Sequence, residues 1–277
     1  MKTFKIFKKL NYLSESIDKK NQIDIVCSKI FDKMLKLGYS EIINHDKNTH
    51  IDYVFSIGGD GTMLQAMQNH IFNKSIIVGI NAGNLGFLTP FTIDDVLDDN
   101  FFVDNLSYKT EKRSILNGSI PKLGSDFFSV NELAFYGESV ESVVDFSMEI
   151  EYNGQLNKMG NYNSKILIIS GPCGSTAYNM NAGGAIVDPT VRCMQVLMVA
   201  PTTIVRPLII GKNSKIIVNF KNDSKIYIDG NFYKDVKSNE SIEISLVQEE
   251  VEVLLPLDWN FYSVLSKKLY WNNGKDV

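Results

Sequence analysis

Residues 57–62 read Ile57-Gly58-Gly59-Asp60-Gly61-Thr62 and follow directly on the run Tyr53-Val54-Phe55-Ser56. A run of that kind buries well as a parallel strand, and the stretch Met63-Leu64-Gln65-Ala66-Met67 beyond it is helical in character. The glycine-rich turn therefore sits at the carboxyl end of a strand in a strand–turn–helix unit, where open α/β sheets bind their ligands. Three glycines around one aspartate let the backbone adopt positive φ and approach an anion such as phosphate without a Cβ in the way. A bare carboxylate beside phosphate repels its own ligand unless it works through Mg²⁺ or takes a proton from an attacking hydroxyl. The chemistry that suits this turn is phosphoryl transfer. No Gly-Lys-[Ser/Thr] follows, and the Gly-x-Gly-x-x-Gly spacing of dinucleotide folds is absent. Read alone, the run also suits an ordinary turn.

The first hundred residues alternate strand and helix signals. Residues 3–7 suggest a strand, and Ile23, Val26, Cys27, Ile30, Phe31, Met34 and Leu37 recur at helical spacing up to Gly38. Strand 53–57, the Gly-Asp turn, a helix over about 62–70 and the run Ser75-Ile76-Ile77-Val78-Gly79-Ile80 complete a βαβ pattern. From about 108 the rhythm changes to extended segments at 109–117, 126–136, 143–152, 164–170, 194–200, 214–220, 225–229 and 242–255. The fold class expected is α/β plus all-β: an open, mostly parallel α/β domain over 1–105, a β-rich, sandwich-like domain over 106–258, and a segment 259–277 packing back on the first. Inside the second domain, Ser170-Gly171-Pro172-Cys173-Gly174-Ser175-Thr176-Ala177-Tyr178-Asn179-Met180-Asn181 reads as a ligand loop leading into a short helix.

The chain of 277 residues is 44% hydrophobic, enough for a substantial core, and its net charge of -4 leaves no basic stripe for nucleic acid. A polyanionic substrate must then be held locally. Cys27, Cys173 and Cys193 have no metal-ligand spacing, and without a secretory leader they fit a reducing cytoplasm. No run approaches membrane-spanning length. His45, His50 and His70 fall in the first quarter, two of them in a polar loop, and read as solvated side chains.

Taken in order, these segments resemble the NAD kinase family, the ATP- or polyphosphate-dependent enzymes that make NADP. The resemblance rests on Gly58-Gly59-Asp60-Gly61-Thr62, on Asn81-Ala82-Gly83-Asn84-Leu85-Gly86-Phe87-Leu88, on Asn131-Glu132, and on Gly174-Ser175-Thr176-Ala177-Tyr178 with Ala182-Gly183-Gly184. Arg206-Pro207-Leu208, Asp229-Gly230 and Lys268-Leu269-Tyr270-Trp271 also fall in family order. The first motif is shared with diacylglycerol and sphingosine kinases, so it fixes only a superfamily, whereas the ordered set is specific.

The resemblance implies Asp60 as the general base, transferring the ATP γ-phosphoryl group to the 2′-hydroxyl of the adenosine ribose of NAD. Gly58, Gly59, Gly61, Thr62, Asn84 and Phe87 fall near the ligands. Asn131 and Glu132 hold NAD through adenine or ribose groups, and Cys173, Ser175, Thr176, Ala177, Tyr178 and Asn181 line the dinucleotide. Lys165 and Ala200 match positions near NAD. It further implies Mg²⁺ or another divalent cation, NAD and ATP as substrates, and a homodimer or homotetramer. Neither nucleic acid nor membrane is expected as a partner. The chain departs from the family pattern at Gly171 and Cys173, where hydroxyls are usual, and at Lys165, where a carboxylate is common. Thr202 and Thr203 stand near the usual place of a histidine. The rival readings are a lipid or sphingoid kinase and a non-catalytic NAD-binding regulator.

Overall fold

The computed structural model describes all residues except 1, 9–15, 44–48, 84–85, 103–106, 140, 249 and 270–277. The elements run β1 (Thr3–Lys8), α1 (Ile17–Lys36), β2 (Ser40–Glu41), β3 (Tyr53–Gly58), α2 (Asp60–Asn69), β4 (Ile76–Asn81), β5 (Phe91–Thr92), α3 (Ile93–Leu97) and β6 (Tyr108–Arg113). They continue with β7 (Leu116–Ile120), β8 (Ser125–Ser129), β9 (Glu132–Gly137), β10 (Val144–Tyr152), β11 (Gln155–Ser164), β12 (Ile166–Ser170), α4 (Tyr178–Asn181), β13 (Cys193–Val199) and β14 (Leu208–Gly211). The last are β15 (Ser214–Phe220), β16 (Ser224–Ile228), β17 (Asn231–Val236), β18 (Ser241–Leu246), β19 (Val251–Pro256) and α5 (Phe261–Lys268). The chain forms two compact units, one from the described residues of 1–112 and 251–277, the other from 113–250.

The first unit is built on a sheet ordered β2-β1-β3-β4-β19-β6, with β5 paired to β4. The pairs β1–β3, β3–β4 and β4–β19 are parallel. Its central strands are apolar along their length because both faces are covered. Helix α1 buries Ile23, Val26, Cys27, Ile30 and Met34 along one stripe, and Ser16 caps it by accepting from the amide of Lys19. Gly38, at φ 82°, takes the left-handed turn that ends it. Strand β19 and helix α5 return to this unit from the far end of the sequence. Residues 107–112 and 251–258, read from the sequence with the second domain, therefore belong with the first.

The second unit contains two six-stranded antiparallel sheets, β11-β10-β15-β18-β7-β8 and β14-β13-β12-β9-β16-β17. One apolar core draws on both, with Phe146, Val218 and Ile244 from one sheet and Phe135, Leu167 and Ile226 from the other. Alternation along β15, where every second residue is buried, gives that sheet one dry and one wetter face. Strands β11, β14 and β17 are additions to the sequence reading. The single extended segment expected over 242–255 is two strands: the chain leaves the antiparallel sheet after Leu246 and enters the parallel one at Val251. Among the described residues no helix is long and apolar enough to cross a membrane.

Candidate active site

Strands β3 and β4 lie in parallel register, with Gly58 opposite Asn81, so the segments leaving their carboxyl ends are neighbours. Asp60 opens α2, and its carboxylate is gripped by the segment following β4. Oδ2 accepts from the amide of Phe87 at 2.8 Å; Oδ1 accepts from the amide of Leu88 at 3.0 Å and from Thr89 Oγ1 at 3.2 Å. Thr89 is itself held, accepting from Asn81 Nδ2 at 3.0 Å, while Asn81 Oδ1 accepts from the amide of Gly83 at 2.7 Å. A carboxylate offers about four lone-pair sites. Among the described residues three are filled, and the fourth, on Oδ2, is open. Phe87 also carries the ammonium of Lys268 over its ring, 4.4 Å from the centroid, and that nitrogen lies 4.0 Å from Asp60 Oδ2.

The positive φ expected of this turn is found at Gly58, at 158°, and not at its other two glycines. Gly59 has φ −101° and Gly61 lies inside α2. A Cβ on Gly86 would stand 2.0 Å from Asp60 Oδ1, and one on Gly58 would stand 2.3 Å from Thr62 Oγ1. Next to Gly59 and Gly61, by contrast, that space is open. Thr62 is buried against Gly58, so its hydroxyl faces the protein. Asn84 and His45 lie outside the described residues. His50 bonds Asp52 at 3.2 Å, whereas His70 is buried at the end of α2 with Nδ1 on the carbonyl oxygen of Ala66 at 2.8 Å, contrary to the solvated reading.

In the second unit three strand ends meet. The start of β9 is paired with the end of β12, Glu132 opposite Ser170, and with the end of β16, Leu133 opposite Ile228. Asp229 follows β16 with φ 47°, and its carboxylate organises the chain before β9. It accepts from Ser129 Oγ at 2.6 Å and from the amides of Val130 at 3.0 Å, Asn131 at 2.7 Å and Glu132 at 3.1 Å. This clamp turns Asn131 and Glu132 into fixed groups. Both are buried, and Asn131 Oδ1 and Glu132 Oε2 have no hydrogen-bond partner among the described residues, as is true of Asn179 Oδ1. Buried acceptors left bare are costly. Burial, then the nearby charge of Asp229, pushes the Glu132 carboxyl up to about 7, opposed by a hydrogen bond from the amide of Tyr178. Gly174 permits this packing, because a Cβ there would stand 2.1 Å from the carbonyl oxygen of Asn131.

The remaining candidates divide. Thr176, Ala177 and Tyr178 are half-buried beside Glu132. Ser175 is fully buried and spends its hydroxyl on Val187, accepting from its amide at 3.0 Å and donating to its carbonyl at 3.1 Å. Burial likewise pushes the Cys173 thiol up to about 11, and both side chains belong to the loop's framework. Asn181 is exposed at the end of α4. Lys165 and Ala200 are brought together across the β12–β13 pair, at the opposite end of β12 from Ser170. Five residue steps put that end about 17 Å from the Glu132 end. Lys165 Nζ donates to the carbonyl oxygens of Glu141 at 2.6 Å and Ser142 at 3.4 Å. The sequence reading gave Asp229 no role; the signal was an Asp-Gly pair closing a strand. It also passed over Tyr136, whose hydroxyl bonds that of Tyr178 and is raised mainly by burial.

The sequence matches the model of the ATP-NAD kinase N-terminal domain over residues 11–99 and that of the ATP-NAD kinase C-terminal domain over residues 130–255. It is 30% identical over 233 residues to an NAD kinase of Thiobacillus denitrificans, covering 82% of this chain and 79% of the relative. An NAD kinase of Fusobacterium nucleatum is 30% identical over 264 residues, covering 89% and 93%. The fold is similar to the crystal structure of an NAD kinase from Archaeoglobus fulgidus in complex with ATP, with TM-score 0.70, 20% identity and coverage of 98% of this chain and 99% of that one. It is also similar to yeast NADH kinase complexed with NADH, with TM-score 0.77, 18% identity and coverage of 100% and 89%.

Proposed function

The chain belongs to the NAD kinase family, enzymes that phosphorylate NAD to NADP, and from that premise we propose that Asp60 is its general base and that Asn131 and Glu132 hold NAD. The observation that carries this reading is the carboxylate of Asp60, fixed by three donors with one lone-pair position on Oδ2 left open. That oxygen takes the proton of the ribose 2′-hydroxyl as the oxygen attacks the γ-phosphorus of ATP. The bond from the γ-phosphorus to the bridging oxygen breaks, and its electron pair leaves with ADP. The transition state of such transfers is loose, so alignment and charge stabilisation supply most of the rate and a positioned base adds about 10²- to 10⁴-fold.

Asn131 Oδ1 and Glu132 Oε2 suit this assignment because the adenine amine and the ribose hydroxyls are donors that would satisfy both bare acceptors. Mg²⁺ is read as arriving on the phosphates of ATP, where it neutralises charge. Among the described residues no group of three His, Cys, Asp or Glu side chains is placed to hold a metal, and an ion bound chiefly through phosphates needs no such cage. A homo-oligomeric state is part of the proposal and is read by light scattering.

The test is purified protein incubated with NAD, ATP and Mg²⁺, with NADP read by an NADP-specific dehydrogenase. The parent forms NADP. Asp60→Asn loses about 10²-fold or more in kcat, and turnover within threefold of the parent would remove the base from Asp60. The match of both halves of the chain to NAD kinase models counts against the sphingoid-kinase rival.

A further inference from the structure

Helix α5 ends in two lysines of different character: Lys267 is exposed, whereas the side chain of Lys268 is 27% exposed. A lysine in the last turn of a helix is ordinarily a solvated cation that complements the helix dipole, as Lys267 does. Lys268 instead turns onto the face of Phe87, 4.4 Å from the ring centroid, and stands 4.0 Å from Asp60 Oδ2. That separation is too long for a hydrogen bond. Neither contact uses an N–H, so among the described residues the ammonium is placed beside the carboxylate with its donors unspent. It stands beside Oδ2, which among the described residues accepts a hydrogen bond from the amide of Phe87 alone.

The same segment thus holds both partners. The backbone of Phe87 fixes the base, and its ring fixes the cation. In a chain of net charge -4, whose lysines are scattered among acids, a cation held at this point is a local answer to a polyanionic substrate.

We infer that Lys268 is a catalytic residue, its ammonium contacting the transferring phosphoryl oxygens and the acceptor oxygen while Asp60 takes the proton. The inference rests on the reading of Asp60 given above. No bond to Lys268 is made or broken: the 2′-hydroxyl proton goes to Oδ2, the new bond joins the 2′-oxygen to phosphorus, and the leaving electron pair departs with ADP. Lys268 only meets negative charge as it develops, which is the setting in which a preorganised donor acts most strongly.

The experiment compares Lys268→Ala, Lys268→Arg and Lys267→Ala with the parent in the NADP-forming assay. Lys268→Ala is expected to lose about 10²- to 10³-fold in kcat, with KM for NAD within threefold. Methylammonium should restore part of that loss saturably, Lys268→Arg should retain more activity than Lys268→Ala, and Lys267→Ala should match the parent. A kcat for Lys268→Ala within threefold of the parent overturns the inference. So does a loss that neither methylammonium nor arginine relieves, which marks a merely structural lysine. A parent that forms no NADP, or an Asp60→Asn variant as active as the parent, defeats the underlying reading instead, so the two failures are told apart.

Discussion

Glu132 makes the stability of the protein depend on pH with a sign that can be worked out. Burial and the Asp229 charge raise its folded value from 4.5 to about 7. Between those two values the folded chain keeps a proton that the unfolded chain has lost. Its contribution to stability is therefore fully present below 4.5 and is lost as pH rises through about 7. For a shift of that size, linkage gives a loss of about 2 to 3 kcal/mol between pH 5 and pH 8. Glu132→Gln keeps the shape and removes the titration, so subtracting the two proteins cancels the groups that do not interact with Glu132. Urea unfolding of both from pH 5 to pH 8 should show the variant gaining on the parent by about that amount. Saturating NAD, by donating to Oε2, should flatten the parent's curve. A difference between the two proteins that stays level across the range would refute the argument.

Gly86→Ala places a methyl group 2.0 Å from Asp60 Oδ1 and 2.3 Å from Thr89 Oγ1; it should cut kcat at least tenfold and leave NAD affinity by calorimetry within threefold. Asn131→Ala and Glu132→Ala should each weaken NAD by about ten- to hundredfold, the worth of a hydrogen bond of charged character, with ATP affinity nearly unchanged. Equal losses for both ligands would remove these residues from the dinucleotide. Lys165→Asp replaces a cation with the carboxylate common in the family and should raise the ratio of kcat/KM for NAD over NADH, read at low salt where an exposed charge is least screened. An unmoved ratio would mean that Lys165 serves only to tie down the carbonyls of Glu141 and Ser142.

What was legible in the sequence follows burial. Strands β3 and β4 are covered on both faces and read as apolar runs, and the glycine-wrapped aspartate between them marks itself. In the second unit the strands that sequence reasoning passed over, β11, β14 and β17, all stand at the ends of their sheets. An end strand has one neighbour and buries little. Strand β11, with the sequence QLNKMGNYNS, is exposed over most of its length and carries no alternation to read. Asp60 in the first unit and the pair Asn131-Glu132 in the second are legible as residues, but their settings are not. The donors on Asp60 come from 27–29 positions downstream and the clamp on Asn131 from 98 positions away, separations that local pattern does not encode. The same holds for Lys268, which stands out only once α5 is set beside Phe87. Ser175 and Cys173 lie in the expected ligand loop, where the Ser175 hydroxyl is spent on Val187 and the Cys173 side chain is buried.

The parallel sheet has a history that its finished form hides. Strand β19 lies between β4 and β6, yet 138 residues, 113–250, separate it from Lys112 in the order of synthesis. On a ribosome adding about 5–20 residues per second, the nascent sheet waits roughly 7–28 s with the facing edges of β4 and β6 unsatisfied. Open strand edges recruit other chains, so this interval is when the protein is most exposed to mispairing and has most use for a chaperone. The antiparallel unit, by contrast, has its whole sequence out before the last strand appears. Translation of β19 and α5, rather than of the glycine-rich turn, is the event that completes the first unit, because both follow the whole antiparallel unit in sequence.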